Sequence, residues 1–244
     1  IQLAHEMHLP FHADAFKAAA KYDQFDCLKY LLENGCPWHD EAILEASHRG
    51  NILCLAHLLQ YTGGYLPIHP DACAFAAKAG YIACLKVLHA ASAPWDESVA
   101  NEATRHGHVN SLRFALEHGL RPTINACAEA ARGGFLRCLK LLRAYSLHWG
   151  EYTVNEAALH GHVDVLRYAI ENGCPCSPHA LQFAAQGGSL DCLEYLVNER
   201  GMLSSGSGAV LGGRSSAVRG GADSTSTSTA TLPMSLKFLV QYAQ

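Results

Sequence analysis

The sequence contains few charged residues: Lys, Arg, Asp and Glu make up 16% of its 244 residues and leave a net charge of −4. A nucleic-acid partner requires a basic stripe that neutralises phosphates, and none is visible, so we expect no such partner. Apolar runs stay below the roughly 18 residues that span a bilayer, and the first ten residues do not resemble a signal peptide. We therefore expect a soluble intracellular protein, cytoplasmic or nuclear, without a membrane partner.

Motifs for catalysis and cofactor binding are also missing. No G-x-x-x-x-G-K phosphate loop occurs, and no cysteine stands out as a nucleophile. The two HGH motifs, at 106–108 and 160–162, place histidines at turns, whereas zinc requires four converging ligands. Cys174 and Cys176 lack a second pair at ligand spacing. We expect a non-enzymatic protein with no metal, no cofactor and no small-molecule substrate. A metal-binding protein stays open as an alternative because His and Cys are abundant.

A leucine recurs along the chain at a spacing of 27 residues, with one step of 30. An alanine stands nine positions before each leucine, and a second small residue follows that alanine. A glycine stands five positions before the leucine and is replaced by Asp23 in the first unit. The leucines are Leu28, Leu55, Leu85, Leu112, Leu139, Leu166 and Leu193, and the alanines are Ala19, Ala46, Ala76, Ala103, Ala130, Ala157 and Ala184. Such strict periodicity indicates a repeat protein.

Each repeat unit is predicted to form two short helices. The segment before the glycine, such as TVNEAALH at 153–160, carries small residues that let neighbouring backbones approach. The glycine fits the left-handed conformation that ends a helix, and Asp is one of the few other residues that tolerate it. An amphipathic helix follows, and a Gly-x-Pro exit stops it. One pair is too small to bury its own apolar face, so we predict an all-α fold, an α-solenoid of stacked antiparallel helix pairs.

The ten cysteines occupy positions that argue against disulfides. Five of them stand directly before the repeat leucine: Cys27, Cys54, Cys84, Cys138 and Cys192. Equivalent positions in stacked helices lie about 8–10 Å apart, whereas a disulfide requires Cα atoms within about 7 Å. We therefore expect reduced thiols that act as small core residues.

The periodicity divides the chain into three expected segments. Residues 1–200 form the repeat array, which is expected to begin in the middle of a repeat because Ile1 lies one period before Leu28. Residues 201–232 are rich in Gly, Ser and Thr, a composition that buries too little surface to fold, so we expect a disordered, flexible linker. Residues 233–244 are expected to form a lone C-terminal helix, a partial repeat.

Residues 157–173, AALHGHVDVLRYAIENG, resemble the ankyrin repeat, and the pattern recurs in register over residues 1–200. Ankyrin repeats are 33 residues long, begin with T-P-L-H and carry a β-hairpin finger, whereas these units are about six residues shorter and lack that start. The chain is therefore similar to a short, CPW-containing type of ankyrin repeat without the full finger. The resemblance implies protein–protein recognition on the concave side of the array.

Two positions on the first helix of each unit are not required for packing, and we expect both to face the concave side. The candidate partner-binding residues at these positions are Glu45, Phe75, Lys78, Glu102, Arg105, Glu129, Arg132, Glu156 and Phe183. One interpretation is an acidic and aromatic groove for a basic or mixed partner segment, with the two phenylalanines as anchors. The other is a solvated face stabilised by pairs such as Glu102–Arg105 and Glu129–Arg132.

We therefore expect a protein–protein interaction scaffold that presents a rigid, preorganised surface to a protein partner. The alternative is a substrate-targeting arm of a larger protein whose enzymatic or degradation-linked domain lies outside this sequence.

Overall fold

The structure, a computed structural model, describes Glu6 and residues 12–39, 41–62 and 68–199. The linker expected at 201–232, the lone helix expected at 233–244 and the start of the array at Ile1 lie outside the described residues.

Fourteen helices form seven consecutive pairs in the described part of the chain, and no strand occurs there. The pairs are α1 (Ala13–Lys21) with α2 (Phe25–Glu33), α3 (Glu41–Arg49) with α4 (Ile52–Thr62), α5 (Ala72–Ala79) with α6 (Ile82–Ala90), α7 (Glu97–Arg105) with α8 (Val109–Glu117), α9 (Ala126–Arg132) with α10 (Leu136–Ala144), α11 (Glu151–Leu159) with α12 (Val163–Glu171), and α13 (His179–Gln186) with α14 (Leu190–Glu194). A π-helical turn, Tyr195–Glu199, continues α14. The predicted all-α solenoid is confirmed.

Successive pairs stack in two layers that differ in closeness. The first helices of the pairs, which we call the inner layer, pack tightly on one another, whereas the second helices, the outer layer, touch less. Alanines allow the tight contact, since Ala46, Ala103 and Ala130 are fully buried and add little bulk between neighbouring axes. A stack that is closer on one side curves toward that side, so we infer that the inner layer lines the concave side.

The outer layer supplies most of the large, fully buried side chains of the core. The repeat leucine lies in the second helix of every pair, and from Leu28 to Leu166 each is 0% exposed, while Leu193 is 3% exposed. Full burial of one leucine contributes about 1.5–3 kcal/mol. The leucines of all seven pairs belong to one continuous core, so each pair is stabilised by its neighbours.

The turn inside each pair requires a left-handed residue. Gly134 has a φ of 72°, and Asp23, which replaces glycine in the first pair, has a φ of 55°, as predicted. A second constraint acts at Gly134, where an added Cβ would lie 2.6 Å from Nδ1 of His162 in the next pair. Gly119, in an exit turn, has a φ of 85° but open space around it. Glycine is thus required at 119 by the backbone conformation alone. At 134 the close approach of the His162 side chain is a second reason for glycine.

The residue after the turn glycine links each pair to the preceding one. Asn51 donates from Nδ2 to the carbonyl oxygen of Ala20 at 2.7 Å and to that of Lys21 at 3.1 Å, at the end of α1. His162 does the same at the end of α9, because its Nε2 lies 3.0 Å from the carbonyl oxygen of Arg132 and must donate to it. The second histidine of this HGH motif therefore satisfies a helix end in the neighbouring repeat.

We predict that Gly134→Ala destabilises the array more than Gly119→Ala. A left-handed alanine costs about 1–2 kcal/mol at either position, and at 134 the methyl group also displaces His162. Urea denaturation of both variants, and of Gly134→Ala in a His162→Ala background, measures the difference. In that background the cost of Gly134→Ala should fall to that of Gly119→Ala. An unchanged cost would contradict the close approach.

Candidate functional site

All nine candidate partner-binding residues lie on helices of the inner layer, and none of them is fully buried. Glu45 belongs to α3, Phe75 and Lys78 to α5, Glu102 and Arg105 to α7, Glu129 and Arg132 to α9, Glu156 to α11, and Phe183 to α13. Candidate residues on the same helix, such as Glu102 and Arg105, are three residues apart and therefore lie on the same face of that helix. Whether a partner contacts them stays a prediction.

Ion pairs join the central helices of this face. Arg105 Nη1 lies 2.8 Å from Glu102 Oε1 on the same helix, and Arg105 Nε lies 3.8 Å from Glu129 Oε2 on the next one. Nε2 of His106 lies 3.4 Å from Glu102 Oε2. Glu129 therefore pairs with Arg105 of the preceding repeat and not with Arg132, which forms no ion pair within the described residues.

A groove of about 380 Å³ opens between α9 and α11. It is lined by Asn125, Ala128, Glu129, Arg132, Tyr152 and Glu156. Three of these six residues were chosen from the sequence, and the structure brings them together. Two carboxylates, the Arg132 guanidinium and the Tyr152 ring, which is 76% exposed, line the groove, so it is aromatic and carries charges of both signs. A smaller pocket of about 180 Å³ continues it toward α7 and shares Glu129 and Asn125.

Phe75 and Phe183, the expected anchors, are half-buried within the array. The Phe75 ring meets His48 edge-on with centroids 5.3 Å apart, and Lys78 Nζ lies 5.7 Å above it. Phe183 packs against the core. The aromatic ring of Tyr152, which lines the groove, is more exposed than either phenylalanine. Tyr152 stands one helical turn before Glu156, a spacing that could have identified it from the sequence.

Most of the cysteines are buried in the core. None of the ten forms a disulfide, and seven of them are buried. Burial raises the pKa of the Cys54, Cys73 and Cys174 thiols to about 12 and that of Cys84, Cys127 and Cys138 to about 11. Cys174 Sγ also donates to the carbonyl oxygen of Gly150 at 3.3 Å. Neutral, buried thiols act as core residues, and the reduced state of all ten cysteines stays a prediction.

Within the described ranges, no three His, Cys, Asp or Glu side chains are close enough to hold a metal ion. His160 and His162 lie with ring centroids 6.4 Å apart, and His160 Nε2 is 3.4 Å from Glu156 Oε2. In the same part of the chain, none of the helices is both long and apolar enough to cross a bilayer.

Comparisons with known proteins find one family-model match and a likeness to a solved structure. Residues 155–197 match the family described as ankyrin repeats (many copies). The structure is similar to the crystal structure of the human ASB11 ankyrin repeat domain, with a TM-score of 0.56 and 19% sequence identity over 65% of this chain and 83% of that chain. At that identity the likeness shows the fold. No curated protein matches the sequence.

We predict that the six strongly perturbed thiols resist alkylation in the folded protein. A thiol pKa near 11 or 12 leaves almost no thiolate at pH 8. Iodoacetamide labelling followed by mass spectrometry should modify the partly exposed Cys27, Cys36 and Cys176 first.

The same pKa values predict a loss of stability in alkali. The unfolded thiols ionise near pH 8.5 while the folded ones stay protonated, so the free energy of unfolding should fall from about pH 9 toward pH 11–12. Urea denaturation between pH 8 and about pH 11 measures this fall, and a constant free energy of unfolding would contradict it. Rapid labelling of Cys73 in the folded protein at pH 8 would contradict the alkylation prediction.

Proposed function

Because the chain carries ankyrin repeats and its helical array has their fold, we propose that it is a non-enzymatic scaffold that binds a protein partner on the inner layer. Ankyrin repeats generally mediate protein–protein interaction and are typically non-enzymatic modules. The inner layer is our choice of face because its exposed positions are not required for stacking. A substrate-targeting arm of a larger protein stays the alternative prediction.

The observation that carries the proposal is the groove between α9 and α11. Its Glu129 and Glu156 carboxylates lie on neighbouring repeats beside the exposed ring of Tyr152. Two carboxylates and an aromatic face are the groups that bind a guanidinium or ammonium group, through ion pairing and cation–π attraction. A partner segment with a basic side chain at its centre fits this groove.

The neighbouring charges extend the match beyond one side chain. Arg105 bridges Glu102 and Glu129, so the acidic residues are held in place before binding. Arg132, which has no ion-pair partner among the described residues, provides a site for an acidic group of the partner. A mixed segment, basic at its centre with an acidic residue beside it, is therefore the partner chemistry that we propose. Rigid presentation of these groups lowers the ordering cost of binding.

The test is selection of twelve-residue peptides from a random display library on the full chain, followed by titration of the selected peptides. We expect basic residues at their centre. The Glu129→Gln/Glu156→Gln variant and Tyr152→Ala should each weaken binding at least about tenfold, which corresponds to about 1.4 kcal/mol.

The matched control is Glu117→Gln/Glu171→Gln, which removes the same charge from exposed positions of the outer layer. Its affinity for the selected peptides should equal that of the unmodified chain. Peptides that lack basic residues, or that bind the groove variants as tightly as the unmodified chain, would overturn the proposal.

A further inference from the structure

Exposed cations form a column on the opposite, outer layer. Lys86 on α6, Arg113 on α8 and Lys140 on α10 all stand directly after the repeat leucine, and Arg137 lies one turn before Lys140. We call these four residues the outer ladder. None of them forms an ion pair within the described residues, and Glu117 is the one carboxylate among α6, α8 and α10. The sequence showed no basic stripe because these cations lie a full repeat apart along the chain.

Two of the ladder cations are positioned by aromatic rings. Lys86 Nζ lies 5.9 Å from the centroid of the Phe114 ring, and Lys140 Nζ lies 5.2 Å from that of Tyr168. In both cases the ring belongs to the next repeat, so the cation spans the junction. A cation–π contact restrains the ammonium group without neutralising it. The positive charges are therefore ordered and available to an anion.

A pocket of about 270 Å³ lies beside the ladder at the N-terminal end of α8. Asn110, Ser111 and Arg137 are among the residues that line it. The main-chain N–H groups of Asn110 and Ser111 have no acceptor within residues 68–199, and the histidine before the helix provides no side-chain cap. The Ser111 hydroxyl is fully buried and also has no partner in that part of the chain. Unused donors, a helix N-terminus and a guanidinium together favour an anion.

We propose that the outer face of α6, α8 and α10 binds an acidic segment of a protein partner. One carboxylate of the segment enters the pocket and accepts from Arg137 and from the α8 N-terminus. Other carboxylates of the segment pair with Lys86, Arg113 and Lys140. This surface is separate from the inner groove and does not depend on the function proposed for it.

The spacing of the cations favours a peptide over a polyphosphate chain. Packed helices lie about 8–10 Å apart, so we expect ladder cations on successive helices at about that spacing. In a polyproline II segment, every third side chain returns to the same face after about 9 Å. Acidic residues at every third position therefore match the ladder. Glu117 within the face would repel a continuous polyanion.

The experiment is fluorescence anisotropy of the full chain with two labelled peptides of equal composition. One is four repeats of Glu-Pro-Pro, and the other has its four glutamates in one block before the prolines. We expect the spaced peptide to bind at least tenfold more tightly. Oligothymidylate of equal charge serves as the nucleic-acid probe, and we expect it to bind more weakly than the spaced peptide.

Variants then locate the binding surface. Arg137→Gln/Lys140→Gln should weaken binding of the spaced peptide at least tenfold. Lys29→Gln/Arg49→Gln removes the same charge at exposed positions elsewhere, and it should have little effect, since Lys29 occupies the same column but lies 3.9 Å from Glu33.

Three outcomes would overturn the proposal: equal affinity for the two peptides, tighter binding of oligothymidylate, or an equal loss in the control double variant. The inner-groove variant Glu129→Gln/Glu156→Gln should bind the spaced peptide as the unmodified chain does. A failure here is therefore distinguishable from a failure of the inner-layer proposal.

Discussion

Stacking of each helix pair on its neighbours is the interaction on which the rest of the structure depends. A single pair has two short helices, and its repeat leucine becomes fully buried only within a core shared along the array. The alanines of the inner layer set how closely the pairs approach, and bonds such as that from Asn51 to Ala20 satisfy helix ends across the junction. Contacts between neighbouring pairs thus determine both the stability of the array and the distance between its repeats.

Because the stacking geometry is fixed, residues at the same position of successive repeats also form a common surface. Residues that are 27 positions apart along the chain become neighbours one helix apart, so a repeated residue type becomes a patch. In the inner layer this brings Glu129 and Glu156 to one groove, and in the outer layer it aligns Arg113 with Lys140. The two faces therefore differ in charge although every repeat follows the same pattern, because each face is formed by different positions of the repeat.

The fold could be predicted almost completely from the sequence, since the repeat leucines, alanines and turn glycines carry the information locally. Asp23 in a left-handed turn and the buried cysteines were predicted for the same reason. The candidate site was predicted only in part. Phe75 is half-buried because His48 and Lys78 lie against its ring. The residue types at one repeat position do not show how far side chains of neighbouring repeats cover a ring at that position. Tyr152 was missed because no other repeat has an aromatic residue at its position in the first helix.

Hydrogen exchange of the backbone amides, followed by mass spectrometry, tests most directly whether neighbour stacking stabilises the array. Helices α7 to α10 lie far from both ends of the described array, so their amides should exchange most slowly, and protection should decrease toward α1 and α14. Equal protection of all pairs, or an end pair that is protected as strongly as the centre, would contradict the account.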